Sequence, residues 1–118
     1  MKEIKKEFAL ECIKEYHELM KNLGVDSHAK QTNCVSFNTA KLRDYLNNHD
    51  LQNNSDEIKI FFGVYPKNIP SDMPDAKPGR LTAIMWPHKG GKPSTKPASG
   101  KDGGIEEIAP LNYAELTP

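Results

Sequence analysis

Residues 57–65 run at a period of two, and that constrains the fold more than any other feature of the chain. Ile58, Ile60, Phe62 and Val64 alternate with Lys59, Phe61, Gly63 and Tyr65, so a strand here has two largely apolar faces, and Pro66 ends it. Leu81 to Trp86 reads the same way, with Pro87 as its expected stop. A strand apolar on both faces needs cover on both. The two runs are therefore expected at the centre of a small antiparallel sheet of two to three strands, packed by two helices: an α+β fold. The connection at 66–80 holds Pro66, Pro70, Pro74, Pro78 and Gly79, and should be extended and stiff.

The covering helices are legible upstream. Ile4, Phe8, Cys12, Ile13, Tyr16, Leu19, Met20 and Leu23 recur at three- and four-residue steps, which predicts a helix over 4–23 with one apolar stripe. Its other face carries Glu7, Glu11, Glu15 and Glu18 with Lys5, Lys6, Lys14 and Lys21, a solvated charged surface rather than an acid/base pair. Gly24 is the natural left-handed stop. Residues 25–33 have no period and read as a loop. A short apolar alternation at 34–37 leads to Asn38 or Thr39 as N-cap of a second helix over 39–48, with Leu42, Tyr45 and Leu46 facing the core. The stripe of the first helix is wide enough to pair with a second copy of the chain.

With 118 residues, the chain is expected to form one domain over 1–118. Sixteen basic residues balance sixteen acidic ones, which excludes a bulk polycation coating nucleic acid. No apolar run approaches the roughly 18 residues that cross a bilayer. The start, MKEIKKEF, places acidic residues where a signal peptide has its apolar core. A soluble, cytoplasmic protein that does not engage membranes is expected. Cys12 and Cys34 are too few for a disulfide framework and read as small, partly buried thiols.

Residues 87–104 are the compositional anomaly. They hold five of the eight glycines, lysines at 89, 92, 96 and 101, and no packed apolar pattern, so a long flexible basic loop is expected. From Ala76 to Lys101 there is no acidic residue, while Lys77, Arg80, Lys89, Lys92, Lys96 and Lys101 supply six positive charges around Trp86 and His88. These eight residues are the candidate site: a basic segment beside an aromatic can clamp phosphates and stack on a base, or reach across an acidic protein surface. The plainer reading is a solvated linker with Trp86 in the core. The tail from Ile105, with Ile108, Leu111, Tyr113 and Leu116, is expected to dock back on the sheet.

The strings SFNTAKLRDYL, EIKIFFGVYP, GRLTAIMWP and PLNYAELTP resemble those of a group of small uncharacterised proteins of Bacteroidetes over about residues 34–118. The resemblance implies one compact domain and carries no activity with it.

The usual catalytic signatures fail on spacing. GGKPST lacks the first glycine of a phosphate loop, and Pro93 forces Lys92 out of helical geometry. HELMK has Lys21 where a zincin needs its second histidine. Asp26 with His28, and His49 with Asp50, read as solvated loop residues. Cys34 with His28 or His88 has no supporting signature as a nucleophile and base. No catalytic residue, metal or cofactor is expected. The expected function is non-catalytic binding: a small protein that docks on another macromolecule, of the kind that phages and mobile elements use to inhibit nucleic-acid-processing defence enzymes, as anti-CRISPR proteins do. The alternatives are a single-stranded RNA or DNA binder acting through the basic loop, and a small-molecule enzyme whose pocket the sequence does not display.

Overall fold

The computed structural model describes residues 1–24, 34–74, 76–98, 103–112 and the backbone of 115–117. The predicted loop at 25–33, and with it Asp26 and His28, lies outside the described residues.

Helix α1 spans Lys6–Asn22 and closes on Leu23, whose N–H donates to Leu19 O, with Gly24 at φ 87° as the left-handed residue beyond. Cys34–Ser36 forms the short strand β1. Asn38 then caps α2, Thr39–Asn48, by accepting from the Lys41 N–H at 3.0 Å. Asp50, held left-handed at φ 46°, turns the chain into a further short helix, α3 (Leu51–Asn54), which the sequence pattern does not predict. Its carboxylate accepts from Asn53 Nδ2, and Leu51 is buried. An Asp tolerates this backbone because its short polar side chain bonds locally.

Strand β2 covers Glu57–Val64 and pairs antiparallel with β3, Leu81–Lys89, in unbroken register from Glu57 opposite His88 to Val64 opposite Leu81. The predicted stop at Pro87 is wrong: β3 continues for two more residues, and Pro87 is buried within it. The reason is parity. Tyr65 N–H donates to Arg80 O, so alternation assigns Arg80, Thr82, Ile84, Trp86 and His88 to the ladder with β2. Pro87 falls on the opposite side of the strand, where its missing N–H costs that ladder nothing and its carbonyl accepts from Ser94 N–H.

Beyond β3 the expected flexible loop is replaced by two hairpins. Gly90 and Gly91, at φ 60° and 78°, form a two-residue turn with both residues left-handed, a backbone glycine adopts freely, returning the chain as β4, Lys92–Pro93. Strand β5, Thr95–Pro97, then pairs with β6, Ile105–Glu107. Residues 99–102, including Lys101, lie outside the described residues. The tail meets β3 where Met85 and Leu111 exchange both backbone hydrogen bonds, while β7, Glu115–Thr117, pairs with β1 in a separate two-stranded sheet. Tyr113 lies outside the described residues. The architecture is a small α+β fold of three described helices and small antiparallel sheets, one three-stranded in the order β2–β3–β4 and two of two strands.

The core gathers on β3, not between two strands under helices. Leu51, Tyr65, Ala83, Pro87 and Ile108 are buried with Thr82, His88 and Ser94. A chain of 3.0 Å contacts links the Tyr65 hydroxyl, Thr82 Oγ1 and Asn112 Oδ1, so these two buried hydroxyls are satisfied. Helix α2 contributes half-buried Leu42, Tyr45 and Leu46, as expected, and the Tyr45 hydroxyl donates to Ala109 O at 2.6 Å.

The expectation that both helices pack the sheet fails for α1, which buries no residue. Phe8 is 55% exposed and Phe62 on β2 is 88% exposed. The Cα radius of gyration, 17.2 Å, exceeds the roughly 13.5 Å of a compact chain this long. In the described strand order β2–β3–β4, strand β2 is an edge strand, not a covered central one. Both cysteines are free and exposed, which corrects the reading of partly buried thiols. Among the described residues, no helix is long and apolar enough to cross a membrane.

Candidate polyanion-binding groove

The β3–β4 turn brings Lys89 and Lys92 opposite each other, and the step through Ser94 into β5 adds Lys96. These three lysines line one groove of about 590 Å³, together with Asn54, Pro93, Ser94, Pro97 and Ile105. Three of the eight candidate residues are thus gathered by local hairpin geometry.

Two of the three ammonium groups are held in place. Lys89 Nζ donates to Asn53 O at 2.7 Å, across from α3. Lys96 Nζ donates to His49 Nδ1 at 2.7 Å and lies 3.6 Å from Glu106 Oε1, its cross-strand partner. Each ammonium has three donors, so positions remain for a ligand, and a held side chain loses less rotamer freedom on binding. The turn is anchored as well, by the Gly90 N–H donating to Asp56 Oδ2 at 3.1 Å. His49 is held below the usual histidine range, first by burial and then by the Lys96 charge, with Glu106 opposing. An Nδ1 that accepts the Lys96 hydrogen bond carries no proton of its own. Ser94 is 1% exposed, and its hydroxyl has no hydrogen-bond partner among the described residues.

Trp86 belongs to a second, adjoining groove of about 370 Å³ with Pro93, Glu107, Ile108, Ala109 and Pro110. Pro93 lines both grooves, but the half-buried indole projects from the opposite face of β3 to Lys89 and its cross-strand partner Lys92. His88 is not available for stacking on a base. It is buried, packs edge-on to Trp86 at 5.7 Å between centroids, and places Nδ1 2.9 Å from Trp86 O. Phe61 completes the cluster, 5.9 Å from Trp86 and 6.1 Å from His88.

Lys77 and Arg80 do not join the groove. Lys77 is exposed in the turn before β3, its carbonyl accepting from Arg80 N–H. Arg80 lies at the opposite end of β3 from Lys89, roughly 30 Å along an extended strand. Sequence reasoning missed His49, Asn53, Glu106 and Ser94. The Gly-Gly turn was the available signal: a two-residue hairpin loop at 90–91 already implies that Lys89 faces Lys92.

Among the described residues no group of three His, Cys, Asp or Glu side chains is placed to hold a metal ion. No protein family, curated protein or solved structure matches this chain.

Proposed function

We propose that this chain is a non-catalytic interaction protein that docks on another protein through the uncovered apolar stripe of α1. The observation that carries the reading is that stripe: Phe8, Ile13, Leu19 and Leu23 are all exposed on a helix that buries nothing. Scattered exposed apolar residues are ordinary, but a contiguous row marks an interaction surface. Glu7, Glu11, Glu15 and Glu18 run along the helix beside Phe8 and Leu19. An apolar row flanked by carboxylates suits a basic protein surface, such as the nucleic-acid channel of a processing enzyme, and an anti-CRISPR-like inhibitor acts at such a surface. The test is an affinity pull-down from the native host with and without nuclease, repeated with Phe8→Lys and Leu19→Lys. One stoichiometric protein retained in both nuclease arms and lost with the variants supports the reading. Retention by the variants refutes it.

A second reading rests on the lysine groove: single-stranded RNA or DNA bound by Lys89, Lys92 and Lys96, with Trp86 in the adjoining groove. It expects affinity for a labelled oligonucleotide to fall steeply with salt, and Lys92→Gln to reduce the slope by about one phosphate contact. Salt-independent binding, or none, removes it.

A further inference from the structure

We infer that the edge of β2 left without a partner strand among the described residues pairs antiparallel with the same edge of a second copy, about a two-fold axis at Phe61, joining two three-stranded sheets into one of six strands. This rests on reading the uncovered apolar surface as interactive, but concerns a different element from α1.

The edge is unusually complete. Alternation from the Tyr65–Arg80 bond directs the N–H and C=O groups of Ile58, Ile60, Phe62 and Val64 away from β3. Those four side chains form one face of the strand, and all are exposed. Natural edges are blunted by proline, bulges or inward charges. Here eight residues run in unbroken register with neither proline nor bulge, and the only charges are Glu57 at the very end and Lys59.

The edge also matches itself. With the axis at Phe61, Ile58 stands opposite Val64 of the copy and Ile60 opposite Phe62, so each outward-facing residue finds a hydrogen-bonding counterpart and the apolar rows merge into one face. On the reverse face Phe61 meets Phe61 in a non-hydrogen-bonded pair, where side chains approach closest and aromatic pairs gain most. Lys59 falls opposite Gly63 and Glu57 opposite Tyr65, so no like charges meet. Other registers do worse. An axis at Lys59 sets that ammonium against itself. An axis at Ile60 pairs Val64 with Asp56, whose N–H is already donated to His88 O.

The experiment uses the full chain. Light scattering after size exclusion should give twice the 13.2 kDa chain mass. Ile60→Pro removes an outward N–H but none of the β2–β3 bonds, and should raise the dimer Kd roughly a hundredfold, with circular dichroism confirming that the fold is kept. In a Cys12→Ser, Cys34→Ser background, Phe61→Cys should form an inter-chain disulfide on mild oxidation, since opposed residues of such a pair lie within disulfide range. Ile58→Cys should not, because its counterpart across the axis is Val64. Monomers at every concentration up to about 1 mM, or a dimer indifferent to Ile60→Pro that cross-links at neither cysteine, overturn the inference. Either result leaves the α1 pull-down to stand or fall on its own.

Discussion

Truncating Ile108 to alanine tests whether the two hairpins that build the lysine groove belong to the same cooperative core as the β2–β3 ladder. Ile108 is 2% exposed, lines the adjoining groove with Trp86 and Pro93, and its N–H donates to Ser94 O at 3.2 Å. The substitution removes three buried carbons, a transfer loss of about 2.4 kcal/mol at about 0.8 per methylene. The cavity left between Trp86 and Pro93 adds to this, because those neighbours are fixed by the sheet, and the total is about 3–4 kcal/mol. For 118 residues the unfolding entropy is about 250 cal/mol/K, so the midpoint should drop by about 12–16 °C. Far-ultraviolet circular dichroism melts and urea titrations read both quantities. Ile105→Ala, three residues away and 75% exposed, should cost under about 0.5 kcal/mol. A loss below about 1 kcal/mol for Ile108→Ala, or equal losses for the two variants, would refute the reasoning, because the hairpins would then fold independently of the core.

Three further outcomes follow from particular contacts. Tyr45→Phe deletes the 2.6 Å bond to Ala109 O and should cost about 1 kcal/mol in urea. Burial holds the Tyr45 hydroxyl above its ordinary 10.0, so its contribution is intact below that pH and lost as the pH rises through the folded value; the variant's alkaline destabilisation should be shallower. His49, held below 6.5 by burial and then by Lys96 against the pull of Glu106, stabilises the fold above 6.5 and loses that contribution as the pH falls through its folded value; His49→Gln should flatten the acid side of a stability-against-pH curve. Gly91→Ala should cost about 1 kcal/mol in thermal melts, from backbone alone, since φ is 78° and an added Cβ would meet nothing within 4 Å.

What the sequence determined by itself is what short-range physics controls. The apolar period and Gly24 delimit α1 to within two residues at the start and one at the end, and Asn38 starts α2 because its side chain reaches a backbone N–H three residues on. The alternation at 57–65 was legible for the same reason, as a property of a few neighbouring side chains. Tertiary structure decided the rest. Pro87 is allowed inside β3 only because the pairing with β2 turns its nitrogen toward the other side, and no local pattern carries that parity. The same pairing separates Arg80 from Lys89 by the length of a strand, while two hairpins gather Lys89, Lys92 and Lys96 against His49, Asn53 and Glu106. Apolar faces on β2 and α1 stated that cover is needed, not where it comes from. The fold leaves both open because its core formed on β3, around residues from α3, β3 and the tail that are far apart in sequence.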